Sequence, residues 1–255
     1  MNQNQASGYG DECPICKGTG WEIYWATVFD YGEPTQLEYV HKCPRCSGKY
    51  RTADRTGVPD EYREADLYKF NFEAYSEDLS KLKNLAWSML QNFEKWQADG
   101  KGLYLWSKTP GSGKTFLASC LAKSLMIKHD LQMRFITAPD YIAKVGDSYK
   151  RERGERDESE IYRECQLLVF DDIGTQMDKE WQRQEMFRLI NRRMQERLIT
   201  IFTSNLPVES LNVEDRTKDR IIKTAVVLQM PEESIRRKKA RNEQDSFLKS
   251  VLGGT

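Results

Sequence analysis

The sequence lacks a net charge, a long apolar run and an N-terminal signal pattern. Its 255 residues include 39 lysines plus arginines and 39 aspartates plus glutamates, so the formal net charge is zero. Proteins that coat nucleic acid through bulk charge are usually basic, so any DNA contact of this chain must come from local patches. No apolar run approaches the roughly 20 residues of a membrane-spanning helix, and the start lacks the basic and apolar regions of a secretory signal. These absences predict a cytoplasmic protein with no membrane partner.

A further absence concerns one glycine in the segment SKTPGSGKT, residues 107–115. The phosphate-binding pattern is G-x-x-x-x-G-K-[ST], and Lys108 stands where its first glycine belongs. That position is furthest from the phosphates, where the chain leaves the preceding strand, so no phosphate-binding donor is lost. Lys114 is expected to reach the β- and γ-phosphates, and the Thr115 hydroxyl to bind Mg²⁺. The residues predicted to bind ATP here are Pro110, Gly111, Ser112, Gly113, Lys114, Thr115 and Phe116.

A chance match in a surface loop is the alternative for this segment, but its neighbours favour the functional interpretation. Apolar strands alternate with helices from residue 102 onward, beginning with GLYLWS before the loop. The later strands are MRFITA, CQLLVFDD, ITIFTSN and VVLQM. Strands that are apolar on both faces, separated by helices, are typical of a parallel sheet covered on both sides. The predicted fold class is α/β.

Two aspartates follow the apolar strand LLVF, at the edge where open α/β sheets bind their ligands. Asp171 is expected to hold Mg²⁺ through water, and Asp172 to orient and polarise the attacking water. Adjacent aspartates can instead cap a helix, an interpretation made less favourable by the preceding phosphate loop. Asn205 ends the next strand and is expected to position the same water, the alternative being a turn asparagine before Pro207.

Arginines in the segments EDRTKDRI and EESIRRK are the remaining candidates for the triphosphate. An arginine that reaches a neighbour's γ-phosphate stabilises the charge of the transition state. From spacing alone, however, Arg216 and Arg220 are expected to face solvent on a charged helix.

Taken in order, GSGKT, LLVFDD, TSN and DRTKDRI resemble the motifs of AAA+ ATPases, and most of all the DnaC/DnaI-type helicase loaders and their phage relatives. The resemblance covers roughly residues 76–237. It implies that Asn205 is the sensor 1 residue, Arg220 the arginine finger with Arg216 in reserve, and Arg236 the sensor 2 residue. It further implies that copies of the chain associate through the finger. The implied partners are a hexameric replicative helicase and single-stranded DNA. Only a short segment follows Pro231, which departs from the larger lid of most AAA+ proteins and weakens the sensor 2 assignment.

This clade also uses an insertion before the second Walker strand to contact single-stranded DNA. The corresponding segment here is DYIAKVGDSYKRERGERDESE. Its candidate DNA-contacting residues are Lys144, Tyr149, Lys150, Arg151 and Arg153, with Tyr149 stacking on a base. A solvated charged loop is the equal alternative, because acidic residues are interleaved with the basic ones.

Two C-x2-C knuckles near the N-terminus predict a tetrahedral Zn²⁺ site. The expected ligands are Cys13, Cys16, Cys43 and Cys46. Disulfides are the disfavoured alternative in a cytoplasmic chain. A hairpin is predicted between the knuckles. Similar knuckles occur in DnaJ-type chaperones, but those come in sets of four.

The predicted organisation is a zinc-ribbon adaptor at 1–51, a linker at 52–75, and an AAA+ domain at 76–255 with a short C-terminal helix. Ser76 is the predicted N-cap of the first helix of that domain. The predicted function is ATP-dependent loading of a replicative DNA helicase onto single-stranded DNA, with the N-terminal region binding the helicase. The alternatives are an IstB-like transposition helper and a non-hydrolysing ATP- and DNA-binding clamp.

Overall fold

A computed structural model describes residues 15, 21–30, 33–42, 56–149, 157, 159–174 and 179–252 of the chain. The chain divides into two compact units, Met1–Gly57 and Val58–Thr255. In the first unit, strand β1 (Trp21–Asp30) pairs antiparallel with β2 (Glu33–Lys42), which confirms the predicted hairpin.

The second unit is built on a five-stranded parallel sheet with the strand order β4-β5-β6-β3-β7. Its strands are β3 (Gly102–Trp106), β4 (Met133–Thr137), β5 (Leu167–Asp171), β6 (Ile199–Ser204) and β7 (Ala225–Gln229). Its α-helices are α1 (Ser80–Gln91), α2 (Phe93–Ala98), α3 (Lys114–His129), α4 (Ala138–Ser148), α5 (Glu160–Glu164), α6 (Glu180–Gln195), α7 (Asp215–Thr224) and α8 (Ile235–Leu252). The predicted α/β class and its parallel sheet are confirmed.

Both faces of the sheet are buried, because successive strand residues point to opposite sides. Leu103 and Leu105 of β3 join one core cluster, which includes the apolar residues of α3, whereas Tyr104 joins the other. Strand β5 divides in the same way, with Val169 in the first cluster and Phe170 in the second. Because β3, β5 and β6 are parallel and lie side by side, the segments that follow them meet at one edge of the sheet.

The segment before α1 packs into the core of the second unit from Val58 onward. It contains the 3-10 helices Asp60–Tyr62, Leu67–Lys69 and Phe72–Ala74. Leu67 is only 1% exposed, and its N–H donates to the hydroxyl of Ser124 on α3 at 3.0 Å. The expected linker at 52–75 therefore differs from the structure, in which most of this segment covers α3 because its apolar side chains need a core.

The prediction that Ser76 caps the first helix is wrong. Helix α1 begins at Ser80 and Leu79 is its N-cap residue. The carboxylate of Asp78 accepts a bond from the Ser80 N–H at 2.9 Å, while the Ser76 N–H donates to Glu233 at 2.7 Å. Ser76 thus joins the helix region to the segment before α8.

No helix in the described part of the chain is long and apolar enough to cross a membrane. The same residues contain no group of three or more histidine, cysteine, aspartate or glutamate side chains suited to a metal ion. The four knuckle cysteines lie outside the described residues, as do Lys150, Arg151 and Arg153, so the zinc site stays a prediction.

Candidate nucleotide-binding site

The loop between β3 and α3 has the backbone conformation that a phosphate cradle requires. Gly111 and Gly113 have φ values of +79° and +91°, a region that residues with a side chain rarely adopt. A Cβ on Gly113 would also collide with the hydroxyl of Tyr75. Helix α3 begins at Lys114, directly after the second glycine, so its free N–H groups face the loop.

The Lys114 ammonium lies inside this loop. It donates to the carbonyl of Ser107 at 3.2 Å, to the carbonyl of Thr109 at 3.3 Å and to the hydroxyl of Ser112 at 3.2 Å. Burial lowers the pKa of Lys114, although the carboxylates of Glu232, Asp172 and Asp171 act to raise it. A buried cation held only by neutral oxygens is well placed to bind phosphate oxygens.

Lys108 is accommodated without a left-handed backbone conformation, since it is not among the non-glycine residues with positive φ. Its side chain is exposed, and its N–H donates to the carboxylate of Glu232 at 3.0 Å. The first glycine of the usual pattern is therefore not needed here for backbone freedom.

Thr115 and Asp171 meet at the start of α3 and the end of β5. The Thr115 hydroxyl donates to Asp171 Oδ1 at 2.8 Å, and the Thr203 hydroxyl donates to the same oxygen. Burial raises the pKa of Asp171, while the hydroxyl groups of Thr203 and Thr115 act to lower it. A carboxylate beside a threonine hydroxyl matches the oxygen ligands that Mg²⁺ prefers, so these residues fit the predicted magnesium site.

Asp172 and Asn205 are also neighbours. The Asn205 amide donates to Asp172 Oδ1 at 3.2 Å, and the Asp172 N–H donates to the Thr203 hydroxyl at 3.0 Å. Asp172 has a φ of +54°, which is uncommon for a residue with a side chain and is found where surrounding contacts fix the backbone. The pair is thus held in one arrangement at the edge of the sheet.

These groups line a single cavity of about 610 Å³. Its lining includes the loop, both aspartates, Thr203, Asn205 and Arg236, together with Glu61, Tyr62 and Ile235. Burial raises the pKa of Tyr62 to about 12, so its hydroxyl stays protonated at neutral pH. A cavity of this volume, with cationic side chains in its lining, is suited to a nucleotide.

Arg236 lines the same cavity, whereas Arg220 and Arg216 do not. The Arg236 N–H donates to the Gly111 carbonyl at 3.3 Å, which places the first turn of α8 against the loop. The Arg220 guanidinium lies 4.5 Å from the centre of the Phe187 ring and donates to Asn191 at 2.7 Å. Arg236 therefore lies at the cavity, whereas Arg220 and Arg216 lie outside it.

The candidate DNA-contacting residues that the structure describes lie on and after α4. Tyr149 is 65% exposed, and its hydroxyl donates to Glu185 at 2.8 Å. Its ring packs edge-on against Trp181, with centroids 6.3 Å apart. Lys144 is half-buried on the same helix.

Sequence reasoning missed three residues that support the phosphate loop or the Thr115–Asp171 pair. Thr203 lies two residues before Asn205 in a strand that also contains Thr200 and Ser204, so its hydroxyl does not single it out in the sequence. Tyr75 donates to the Ser112 carbonyl at 2.8 Å, and Glu232 contacts the loop entrance. Neither Tyr75 nor Glu232 lies near the loop in sequence, so no local pattern indicates them.

Comparisons with known proteins agree with this geometry. The family model described as IstB-like ATP binding protein matches residues 57–243. The replicative helicase loader DnaC of Escherichia coli strain K12 is 24% identical over 177 residues, which are 67% of this chain and 68% of that protein. DnaC of Buchnera aphidicola subsp. Baizongia pistaciae is 23% identical over 175 residues, again 67% of this chain and 68% of that protein.

Solved structures show the same fold. The crystal structure of the DnaC helicase loader has a TM-score of 0.59 and 21% identity, and the match covers 68% of this chain and 100% of that chain. DnaI has a TM-score of 0.58 and 21% identity, with coverages of 72% and 98%. The replication initiator DnaA bound to AMPPCP and single-stranded DNA has a TM-score of 0.57 and 19% identity, with coverages of 74% and 56%.

Proposed function

Because the chain belongs to the family of IstB-like ATP-binding proteins, we propose that it is an ATPase that loads a replicative DNA helicase onto single-stranded DNA. The ATPase part is carried by the 2.8 Å bond between Thr115 and Asp171, which joins the phosphate cradle to the acidic strand end. The loading part is supported by the DnaC relatives, which match two thirds of the chain.

ATP binding begins with the loop and Lys114. When the triphosphate enters, the ammonium exchanges the carbonyls of Ser107 and Thr109 for the β- and γ-phosphate oxygens, while the loop N–H groups donate to the same phosphates. Thr115 and Asp171 hold Mg²⁺, which supplies positive charge against the phosphates.

Hydrolysis is assigned to Asp172 and Asn205. The Asp172 carboxylate orients a water molecule towards the γ-phosphorus and withdraws its proton, and the Asn205 amide holds that carboxylate in place. Arg220 does not line the cavity of its own chain, so in this proposal the Arg220 finger of each chain completes the site of a neighbouring copy.

The first unit is the proposed helicase-binding adaptor. Cys13, Cys16, Cys43 and Cys46 bind one structural Zn²⁺ in this proposal, because four thiolates complete a tetrahedral site. Metal analysis of the purified protein should give about one zinc per chain, and Cys43→Ser should lose it. A zinc-free wild-type protein would contradict this assignment.

DNA binding is assigned to the surface after α4. Tyr149 is exposed enough to stack on a base, at the cost of its bond to Glu185. Tyr149→Ala should weaken binding of an oligothymidylate severalfold, since one stacking contact is worth about 1–3 kcal/mol. Tyr68→Ala is the matched control, because Tyr68 is also exposed but lies before α1.

The test of the ATPase is Lys114→Ala, with Lys128→Ala as control on an exposed turn of the same helix. Lys114→Ala should abolish binding of a fluorescent ATP analogue and phosphate release, with an unchanged melting temperature, whereas the control should behave as wild type. If Lys114→Ala binds ATP normally, the proposed site is wrong.

The protein that co-purifies with the chain distinguishes helicase loading from a role in transposition. The family description favours a second candidate, an IstB-like helper that remodels a transposase. Wild-type protein should co-purify with a hexameric replicative helicase in the presence of ATP and transfer it to single-stranded DNA. Retention of a transposase instead of the helicase would select the second candidate.

A non-hydrolysing clamp is the third candidate. Asp172→Asn separates it from an ATPase, because this change keeps the phosphate cradle and removes the proposed base. Phosphate release should fall about 100-fold or more while ATP binding is preserved. Absence of phosphate release from wild-type protein, even with DNA and helicase present, would favour the clamp.

A further inference from the structure

The carboxylate of Glu232 collects three donors from the entrance of the phosphate loop. It accepts from the Lys108 N–H at 3.0 Å, from the Thr109 hydroxyl at 2.7 Å and from the Ser107 hydroxyl at 3.3 Å. These three residues are the first three of the loop, and Lys108 is the one that departs from the usual pattern.

The backbone places Glu232 at this point. Strand β7 pairs in parallel with β3, so both strands end at the same edge of the sheet. The pairing continues past the strands, because the Met230 N–H donates to the Trp106 carbonyl at 2.7 Å. The Ser107 hydroxyl also lies 3.2 Å from the Pro231 carbonyl. The position of Glu232 therefore follows from the sheet rather than from a flexible side chain alone.

The same residues hold Lys114. Its ammonium is bound by the carbonyls of Ser107 and Thr109, the two loop residues whose hydroxyls donate to Glu232. Beyond Glu232, the chain enters α8, where the Arg236 N–H bonds to the Gly111 carbonyl. Glu232 thus contacts the two residues that bind the Lys114 ammonium, and it precedes the helix whose first turn contacts Gly111.

Glu232 remains ionised when it makes these contacts. Slight burial raises the pKa of its carboxyl, but the hydrogen bonds from Thr109, Lys108, Gln229 and Ser107 outweigh this and leave it below its ordinary value. Around neutral pH it therefore accepts hydrogen bonds and donates none.

We propose that Glu232 is a positioning residue that fixes the entrance of the phosphate loop, and through it the Lys114 ammonium, for binding of the ATP triphosphate. It touches the loop and not the phosphates. This inference rests on the proposed ATP binding at the same loop.

The first measurement is the affinity for a fluorescent ATP analogue, with Mg²⁺, for wild type, Glu232→Ala and Glu232→Gln. Glu232→Ala should bind about 5- to 10-fold more weakly, a moderate effect because the side chain is exposed. Glu232→Gln keeps an oxygen acceptor and should recover most of the affinity. Glu233→Ala is the matched control, since Glu233 bonds to Ser76 and Lys238 rather than to the loop.

A double-mutant cycle separates positioning from general destabilisation. If Glu232 acts through the Thr109 hydroxyl, then Glu232→Ala and Thr109→Val should be clearly non-additive in ATP affinity, while Glu233→Ala and Thr109→Val should add. Melting temperatures of all variants should stay within about 3 °C of wild type.

The outcomes are distinguishable. ATP binding by Glu232→Ala at wild-type affinity or tighter, or additivity with Thr109→Val, would overturn the inference while leaving the nucleotide site intact. Failure of the wild-type protein to bind ATP would instead refute the proposed function itself.

Discussion

Arg236 and Arg220, both assigned to the triphosphate, lie in different surroundings. Arg236 begins α8 at the rim of the cavity, where its N–H is bonded to the loop. Arg220 lies on α7, with its guanidinium stacked on Phe187 and bonded to Asn191 outside the cavity. Arg236 thus lines the cavity of its own chain, whereas Arg220 would need a site that another copy brings to it.

The two candidate fingers also differ from each other. Arg220 is half-buried and is held by Asn191 and by the carbonyl of Arg216 at 2.8 Å. Arg216 is exposed and is paired with Glu214. Both guanidinium groups lie over the Phe187 ring, Arg216 at 4.1 Å and Arg220 at 4.5 Å from its centre, so the choice of Arg220 as the finger stays a proposal from the family resemblance.

The largest expected effect comes from Arg220→Ala. It should lower the kcat of ATP hydrolysis about 100-fold or more in the assembled protein and leave ATP affinity unchanged, because a finger stabilises only the transition state. Arg216→Ala is the control and should lose much less activity. Steady-state phosphate release as a function of protein concentration measures both.

A mixing experiment tests whether Arg220 acts on a neighbour. Lys114→Ala chains keep the finger but lack the loop lysine, and Arg220→Ala chains have the reverse defect. A mixture should recover activity at interfaces that join an intact finger to an intact loop. No recovery, or a loss of ATP affinity in isolated Arg220→Ala chains, would contradict the proposed action of this arginine on a neighbouring copy.

The next largest effect is expected from Arg236→Ala, which tests the other side of the comparison. This variant should bind ATP about 10-fold more weakly even at protein concentrations too low for assembly, since its own cavity loses a cation beside the phosphates. Arg237→Ala is the matched control, as it removes an equal charge from an exposed neighbouring position. Equal losses for the two variants would show that only the net charge of α8 matters.

The nucleotide loop and the strand ends were predictable from sequence because each depends on local requirements. Gly111 and Gly113 are needed for their backbone angles, and Asp171 ends a strand whose apolar pattern defines its length. The strands after residue 102 lie within a few residues of the predicted segments for the same reason.

The supports of the loop were not predictable, because they depend on how distant segments are brought together. Tyr75 belongs to a segment with no long apolar period, and its role follows only once that segment covers α3. Glu232 contacts the loop because β7 lies beside β3 in the sheet. Sequence spacing could not place Arg236 at the cavity or Arg220 outside it.

A change of pH is expected to have a smaller effect on ATP affinity. This effect should arise at the nucleotide site that contains Asp171 of the same chain. Burial raises the pKa of Asp171, so its carboxyl takes up a proton at a higher pH than an ordinary aspartate does. The protonated form cannot bind Mg²⁺, so affinity for Mg²⁺–ATP should fall as pH is lowered through this raised pKa, approaching tenfold per unit. Binding of ATP in EDTA should lack this dependence, and so should Asp171→Asn. A pH profile that is identical with and without Mg²⁺ would contradict the assignment.

The smallest effect is expected from Tyr75→Phe, which removes a single hydroxyl from behind the loop. The buried bond from this hydroxyl to the Ser112 carbonyl should be worth about 1 kcal/mol, or about fivefold in ATP affinity. Burial, with a smaller contribution from Glu233, raises the pKa of Tyr75 to about 12, so the hydroxyl remains a donor over the whole neutral range. Tyr68→Phe is the control, because Tyr68 is 79% exposed. Since Tyr75 supports the loop of its own chain, the variant should weaken ATP binding without impairing rescue of Arg220→Ala chains in the mixing experiment, where it needs to supply only its finger. A variant that binds ATP normally but fails in that rescue would assign Tyr75 to contact between copies instead.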